Sequence, residues 1–237
     1  MKKNFLIFII LAAFAGIFYF LFTTYDGGKE LPALGKYYAE NATDEVGAAN
    51  LVTAVIVTYR GLDTLGEVTV LFLTATIISL FLKIDKTRVD EEARLNSLRK
   101  TSEILQTASK IMIPITIMFG VYVFINGHLT PGGGFQGGVI IATAVVLGIL
   151  ANPTIKISHN IISVVESISG FSFVILGVLG IFLAGGFLDN RFLPLGKLGD
   201  IFSAGVIPLI YSLIGLKVGA ELANIVANLK ETQKETL

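Results

Sequence analysis

The segment His128-Leu129-Thr130-Pro131-Gly132-Gly133-Gly134-Phe135-Gln136-Gly137-Gly138 separates two strongly hydrophobic runs, residues 111–125 and 139–150. Proline fixes one backbone torsion and lacks an amide donor, whereas glycine adopts torsions that other residues avoid. The combination predicts a tight turn between two helices. Glycines also let backbones approach closely, so we expect the second helix to begin pressed against its neighbours.

The composition on both sides of this turn is typical of a membrane protein. Of the 237 residues, 53% are hydrophobic and 15% are charged, and the mean hydropathy is +0.76. A soluble domain carries about a quarter charged residues. A helix that crosses a bilayer needs about 20 apolar residues. Six runs come near that length, and we therefore predict an all-α integral membrane protein with six transmembrane helices: residues 5–23, 64–82, 110–125, 135–151, 161–184 and 199–222.

Residues 46–59 form a shorter apolar run, and its length of about 14 residues favours a membrane-associated or re-entrant helix over a seventh span. The positive-inside rule separates the two alternatives. Without a crossing there, 13 of the 18 lysines and arginines fall on the cytoplasmic side. With a crossing, the most basic loop, residues 83–100, would lie outside. We expect six crossings, a location in the inner (cytoplasmic) membrane and cytoplasmic termini.

Several classes of function are disfavoured by the composition. The net charge is zero, so no basic field indicates nucleic-acid binding. The chain has no cysteine, which excludes thiolate-bound iron–sulfur clusters, disulfides and thiol catalysis on this chain. Two histidines leave little for a metal site, and no nucleophile–base set stands out. We expect no cofactor and no catalysis by this chain alone.

The first candidate site lies where the second span begins. A charge at the bilayer centre costs at least about 2.5–3.5 kcal/mol, so ionisable residues in spans need a reason. Asp63 and Glu67 are four residues apart and share one helical face. Asp63, or the adjacent Thr64, suits the helix cap. Glu67 lies about one turn deeper, where it either pairs with Arg60 or changes protonation state as part of a proton path.

Three further residues are candidates for an ion path. Glu166 and Lys217 are each placed about five residues from the cytoplasmic end of a span, roughly 7 Å deep at 1.5 Å per residue. They could pair with each other, or Lys217 could pair with Glu221 in its own helix. His128, with an unperturbed pKa near 6.5, suits proton exchange at the outer mouth, although a lone loop histidine is more often a hydrogen-bonding group.

The turn motif also resembles a known family. The stretch Pro131 to Gly138, preceded by Gly127 and His128, is similar to the B subunit of Mrp-type multisubunit sodium/proton antiporters, the MnhB domain. A second stretch, residues 198–220, which includes Lys217, matches the same subunit. The resemblance covers about residues 103–226. It implies four membrane helices, in agreement with the spans above.

The first part of the chain resembles a different subunit. Its most specific match is Tyr59-Arg60-Gly61-Leu62-Asp63-Thr64-Leu65-Gly66-Glu67. It is similar to the C-terminal end of the large A subunit of the same antiporters, and to the small E-type subunit of membrane-bound hydrogenases. In that family the segment carries a carboxylate implicated in ion translocation, which falls here on Glu67. Leu62 stands where the family usually has an aromatic residue.

The two resemblances together imply a fusion of neighbouring membrane subunits. Residues 1–82 would form the A-subunit-like segment, 83–109 a charged cytoplasmic linker with helical pairs such as Asp90/Arg94, 110–226 the B-subunit-like domain and 227–237 a polar tail. The implied role is a membrane subunit of an Mrp-type sodium/proton-translocating module. Because the large antiporter-like domain is not part of this sequence, a respiratory complex such as a membrane-bound hydrogenase is favoured. A stand-alone Mrp antiporter and a purely structural scaffold are the alternatives. The implied partners are other membrane subunits, Na⁺, H⁺ and the lipid bilayer.

Overall fold

The computed structural model describes residues 2–25, 31–82, 101–155 and 157–232, and every regular element in that part of the chain is helical. A π-helical turn, Ala54–Tyr59, directly follows the short helix Leu51–Thr53, and a 3₁₀ turn, Asn190–Phe192, follows the helix His159–Ala184. The α-helices, in chain order, are α1 (Lys2–Thr24), α2 (Ala33–Val46), α3 (Leu51–Thr53), α4 (Gly61–Phe81), α5 (Glu103–Ile125), α6 (Gly134–Ala151), α7 (His159–Ala184) and α8 (Ile207–Thr232).

Six of these helices, α1 and α4 to α8, are long and apolar enough to cross a membrane. The predicted fold class, an all-α multi-pass membrane protein, is confirmed. Two boundaries differ from the expectation. The last helix begins at Ile207, after a loop in which Gly205 adopts φ +58°, and it continues to Thr232 into the expected polar tail. Helix α5 begins at Glu103, inside the expected linker, because Ser102 caps it by accepting a hydrogen bond from the Leu105 amide. Residues 83–100, with the expected Asp90/Arg94 pair, lie outside the described residues.

The chain divides into two compact units, residues 1–37 and residues 38–237. The first contains α1, whose side chains are exposed along the helix. In the second unit α8 packs against α4, α5, α6 and α7. Its core joins Tyr211, Ile214 and Val218 of α8 to Phe124 of α5 and Phe173 of α7. The most buried span is therefore the one that also carries Lys217 and Glu221.

Residues 46–59 lie across one end of this bundle. Near the start of the segment, the Asn50 amide donates to the His128 carbonyl at 3.0 Å, in the loop between α5 and α6. Near its end, the Thr58 hydroxyl donates to the Asn190 side chain at 3.2 Å, in the loop between α7 and α8. Both loops lie at the same end of the bundle, because the chain leaves that end in α6 and returns to it in α7. Residues 46–59 therefore contact the same end of the bundle near both of their ends, and we call this end the loop end. That they do not cross the membrane stays a prediction.

The proline–glycine turn places α6 as expected. A Cβ atom added at Gly134 would lie 2.7 Å from the Ile214 side chain, and one at Gly138 would lie 2.7 Å from the Gly215 carbonyl oxygen of α8. On the facing side, a Cβ at Gly137 would lie 2.6 Å from the Gly120 carbonyl of α5. Phe135, half-buried, packs against the core between these contacts. Pro131, Gly132 and Gly133 form the turn, and the glycines that follow allow α6 to fit between α5 and α8.

Candidate ion-translocation site

Lys217 and Glu221 form an ion pair in the middle of α8. The Lys217 ammonium lies 2.5 Å from a carboxylate oxygen of Glu221, four residues on in the same helix. The two residues are 6% and 0% exposed. The second carboxylate oxygen of Glu221 is buried and has no hydrogen-bond partner among the described residues. Of the two pairings left open by the sequence, the direct one is therefore the pairing within the helix.

Glu166 lies close to this pair on the facing helix. The side chain of His159 is hydrogen-bonded to that of Asn224 at 3.3 Å. Glu166 lies seven residues further along α7 and Lys217 seven residues further back along α8, so the antiparallel register brings them together. The Lys217 Nζ atom lies 3.5 Å from a Cβ built at Gly170, one turn after Glu166. Glu166 acts on both Lys217 and Glu221 electrostatically.

The expected depth of Lys217 is wrong. Because α8 continues to Thr232, Lys217 lies fifteen residues before the helix end and ten after its start, about 15 Å from the loop end. Glu166 lies seven residues inside α7, about 10 Å from its start. Lys217 therefore no longer counts as a residue of the predicted cytoplasmic side. Twelve of the 18 lysines and arginines remain on that side.

A groove opens beside Glu166 and Lys217. It has a volume of about 260 Å³ and lies between α4, α7 and α8. Phe72 of α4 forms part of its wall, with its ring centroid 5.1 Å from the Lys217 ammonium. Thr69 and Ser167 add hydroxyl groups at its exposed rim. The groove gives the buried charges a lateral opening on this chain.

Of the two roles that the sequence left open for Glu67, the pairing with Arg60 is not formed. The Glu67 side chain is exposed on the surface of this chain. Arg60 instead pairs with Asp63 at 2.5 Å, one turn away, with both side chains more than half exposed. The N-cap position of α4 is occupied by Arg60, so neither Asp63 nor Thr64 is the cap. Glu67 nevertheless acts electrostatically on the buried hydroxyl of Tyr211.

A buried hydrogen-bond network joins the loop end to α8. The Tyr211 hydroxyl donates to Thr53 at 2.9 Å, and the Thr53 hydroxyl donates to the Gly127 carbonyl at 2.7 Å. The Asn50 side chain donates to the Gly127 and Thr130 carbonyls at 2.8 and 3.0 Å. The sequence reasoning missed all three side chains, because they become neighbours only when distant segments meet. The available signal was the presence of two polar residues, Asn50 and Thr53, inside the apolar run 46–59.

His128 lies within the loop end and is fully buried. Its Nε2 atom lies 3.1 Å from the Ser203 hydroxyl and 3.3 Å from the Asp200 carbonyl. The Ser203 hydroxyl itself donates to that carbonyl at 2.7 Å, so it accepts from His128. Burial lowers the pKa of His128 below its usual value, and the Asp200 carbonyl offsets this in part. The neutral imidazole is therefore the form that the fold favours at neutral pH.

Acidification should destabilise the loop end through His128. Because the folded-state pKa is below the unfolded value, the stabilisation is complete above about pH 6.5 and is lost as pH falls through the folded pKa. Each unit of lowering corresponds to about 1.4 kcal/mol. We expect the melting temperature of the detergent-solubilised protein to decline from about pH 7.5 to about pH 5, and His128→Gln to flatten this decline. The control His159→Gln should keep the wild-type slope. An unchanged slope in His128→Gln would exclude this histidine as the cause.

A second polar anchor, in the loop between α7 and α8, is also one that the sequence reasoning missed. The Asn190 side chain is fully buried and donates to the carbonyls of Val46 and Ala204 at 2.8 and 2.9 Å. Beside it, the Arg191 guanidinium donates three hydrogen bonds to the Asp189 carboxylate, at 2.9, 3.2 and 2.5 Å. Burial raises the pKa of Asp189, but the hydrogen bonds and charge of Arg191 outweigh burial and hold that pKa below its usual value. This loop fixes residues 46–59 against α8.

Two family models match the chain. Residues 104–224 match a domain related to the MnhB subunit of Na⁺/H⁺ antiporters, and residues 2–97 match the E subunit of MBH. An uncharacterized protein of Methanocaldococcus jannaschii is 31% identical over 196 residues, with 73% of this chain and 74% of that protein covered.

Two solved structures share the fold. A chain of the membrane-bound sulfane sulfur reductase, an archaeal respiratory membrane complex, superposes with a TM-score of 0.81 at 39% identity and covers 97% of this chain and 98% of that chain. A chain of the Mrp complex from Dietzia sp. DQ12-45-1b superposes with a TM-score of 0.72 at 25% identity. That match covers 97% of this chain but 26% of the Dietzia chain.

The fold and the buried charges define a multi-pass membrane subunit with ionisable groups inside its helix bundle. The chain belongs to the family that carries the MnhB-related domain, here joined to a segment of the kind found in the MBH E subunit. It is a membrane subunit of an Mrp-type module, as both resemblances in the sequence implied.

Proposed function

We propose that this chain lines part of the ion path of an Mrp-type sodium/proton-translocating module inside a larger respiratory membrane complex. The match to the sulfane sulfur reductase chain supports this setting, because it spans nearly the whole length of both chains. The Mrp match takes about a quarter of a longer chain. A stand-alone antiporter is the second candidate. In either setting the chain acts with other membrane subunits, Na⁺ and H⁺, and is not catalytic alone.

The observation that carries this proposal is the position of Glu67. Its carboxylate is exposed on a membrane-spanning helix, beside Gly66, where an added Cβ would meet nothing within 4 Å. Glu67 lies six residues after the start of α4, about 9 Å inside the span, where a charge that faces lipid is unfavourable. This face of α4 is therefore one that a neighbouring subunit covers. A carboxylate held between subunits, and electrostatically linked to the Tyr211 hydroxyl, is suited to carry a proton.

The other candidate residues follow from this placement. Glu166 and Lys217 lie at the groove on the other side of α4 and form a second charged position along the path. Asp63 and Arg60 pair at the entrance of α4 near the loop end, and His128 is a neutral relay at the same end. We place the protein in the inner (cytoplasmic) membrane with the loop end outside and both termini in the cytoplasm. The excess of basic residues on the opposite side supports this orientation.

The test is a Glu67→Gln variant in the assembled complex. Glutamine keeps the size of the side chain and removes its charge and its exchangeable proton. In sealed vesicles we expect the rate of sodium-dependent proton exchange to fall at least about tenfold. A positioned acid–base group typically speeds a proton-transfer step by about 10²–10⁴-fold. Glu103→Gln, an exposed carboxylate in the first turn of α5, is the matched control and should transport at the wild-type rate.

The purely structural alternative predicts a different pattern. If the charges only hold subunits together, Glu67→Gln lowers the amount of assembled complex but leaves the rate per complex unchanged. Subunit content measured on native gels separates the two. Full-rate exchange by assembled Glu67→Gln complexes would remove Glu67 from the ion path.

A further inference from the structure

The charged side chains that meet between α7 and α8 do not balance: Lys217 and Glu221 are buried and Glu166 is half-buried. The direct pair, Lys217 with Glu221, is neutral when both groups are ionised. Glu166 adds a second carboxyl group, which acts electrostatically on both of them. Among the side chains that line the groove, Glu166 and Lys217 are the ionisable ones, while α4 contributes Thr69 and Phe72. The three groups therefore carry two acids and one base, with no second cation among the described lining residues.

A net charge inside a membrane bundle is unfavourable, and two carboxylates that share a site do not both stay ionised at little cost. The cheapest neutral state adds one proton to the pair of carboxyl groups. Glu221 supports this count from its own surroundings. It is fully buried, one oxygen contacts Lys217, and the other oxygen has no hydrogen-bond partner in the described part of the chain.

We propose that Glu166, Lys217 and Glu221 form a charge cluster that holds one exchangeable proton on its two carboxyl groups. The groove beside Glu166 and Lys217, about 260 Å³ in volume, is the opening through which that proton enters and leaves. Lys217 holds the cluster together, because its ammonium pairs directly with Glu221, acts electrostatically on Glu166 in the same groove and lies over the Phe72 ring. This inference deepens the proposed function, on which it rests, by naming where the chain stores a proton.

The charge count makes an unusual prediction for substitutions. Glu166→Gln leaves a neutral Lys217–Glu221 pair that needs no proton. Glu221→Gln leaves a neutral Lys217–Glu166 pair that needs none either. Each single change therefore removes the stored proton, whichever carboxyl group carries it in the wild type. Because glutamine keeps the shape of the side chain and a hydrogen-bonding oxygen, both variants are expected to fold.

The experiment is infrared difference spectroscopy on the assembled complex at neutral pH. We expect one protonated carboxyl C=O band in the wild type, shifted in D₂O, and complete loss of that band in both Glu166→Gln and Glu221→Gln. Glu103→Gln should lose only a carboxylate band. Lys217→Gln should gain a second protonated carboxyl band; if that variant does not assemble, the two glutamine variants decide the matter.

Two results would overturn the proposal. If neither difference spectrum, wild type minus Glu166→Gln or wild type minus Glu221→Gln, contains a carboxylic acid band, both acids are ionised in the wild type. Loss of the band in one variant alone would mean that the charge balance of the cluster does not set the protonation. The infrared measurement does not require transport, so it tests the stored proton separately from the role of Glu67. Full-rate transport by the Glu67→Gln complex would refute the transport role of Glu67 but would not contradict the stored proton.

Discussion

Replacing Asn190 with leucine is expected to cost about 3–5 kcal/mol and to release residues 46–59 from the loop end. The amide of Asn190 donates to the Val46 and Ala204 carbonyls, and its oxygen accepts from Thr58. Leucine has a similar volume but no polar atom. The two buried carbonyls and the half-buried Thr58 hydroxyl would each lose a hydrogen bond, and each unsatisfied buried group costs about 1–3 kcal/mol.

The absence of cysteine from the sequence makes this effect measurable. A single Ala48→Cys change places a thiol at a position that is 1% exposed in the segment held by Asn190. Local opening exposes that thiol to a water-soluble reagent. A loss of about 3–5 kcal/mol corresponds to labelling that is faster by roughly two to four orders of magnitude, at about 1.4 kcal/mol per tenfold change.

Asn126→Leu is the matched control. Its side-chain amide donates to the Tyr122 carbonyl one turn back in the same helix and is partly exposed. Water replaces that bond, so the labelling rate of Cys at position 48 should stay within about threefold of the parent. Equal labelling rates in the two leucine variants would show that Asn190 does not hold the segment.

The fold was predictable where the signals are local. The apolar runs and the proline–glycine turn are local signals, so the six spans and the close approach of α6 were expected. The starts of α5 and α8, seven and eight residues from their expected positions, were not. The end of α8 was not expected either, because residues 227–232 are mostly polar and such a segment continues a helix only when neighbours stabilise it. The Asn228 side chain, bonded to Ser79 of α4 at 2.9 Å, is one such contact.

The candidate site was predictable only in part. Glu67, Glu166 and Lys217 stand out because charges in spans are costly. Which partner each one finds depends on contacts that the sequence does not encode locally. Arg60 pairs with Asp63 because a spacing of three residues brings both side chains to the same side of the helix start. Glu67, in contrast, faces away from this chain. The Tyr211–Thr53 bond joins residues 158 positions apart and follows from tertiary packing alone.

The second large effect is expected from the smallest change, Gly138→Ala. A Cβ atom at this position would lie 2.7 Å from the Gly215 carbonyl oxygen, 2.8 Å from the Val218 Cβ and 3.0 Å from the Gly219 nitrogen. Two of these three atoms belong to the α8 backbone, so no change of rotamer relieves the clash. The helices α6 and α8 must separate, and overpacking of this kind costs about 1–3 kcal/mol or more.

Gly148→Ala in the same helix is the control that isolates this packing. Its added Cβ would meet one atom, the flexible end of Ile113, at an ordinary 3.6 Å. Alanine is also a better helix former than glycine by about 1 kcal/mol, so this variant should be neutral or slightly stabilised. The same gain in helix propensity acts at Gly138, so a lower stability of Gly138→Ala would report the packing clash alone.

The measurement is the temperature at which each detergent-solubilised variant loses its monodisperse size-exclusion peak. We expect this midpoint to be several degrees lower for Gly138→Ala than for Gly148→Ala. Equal midpoints would mean that α6 does not lie against α8 at the distance described, and the core built around Tyr211, Ile214 and Val218 would then lack its closest neighbour.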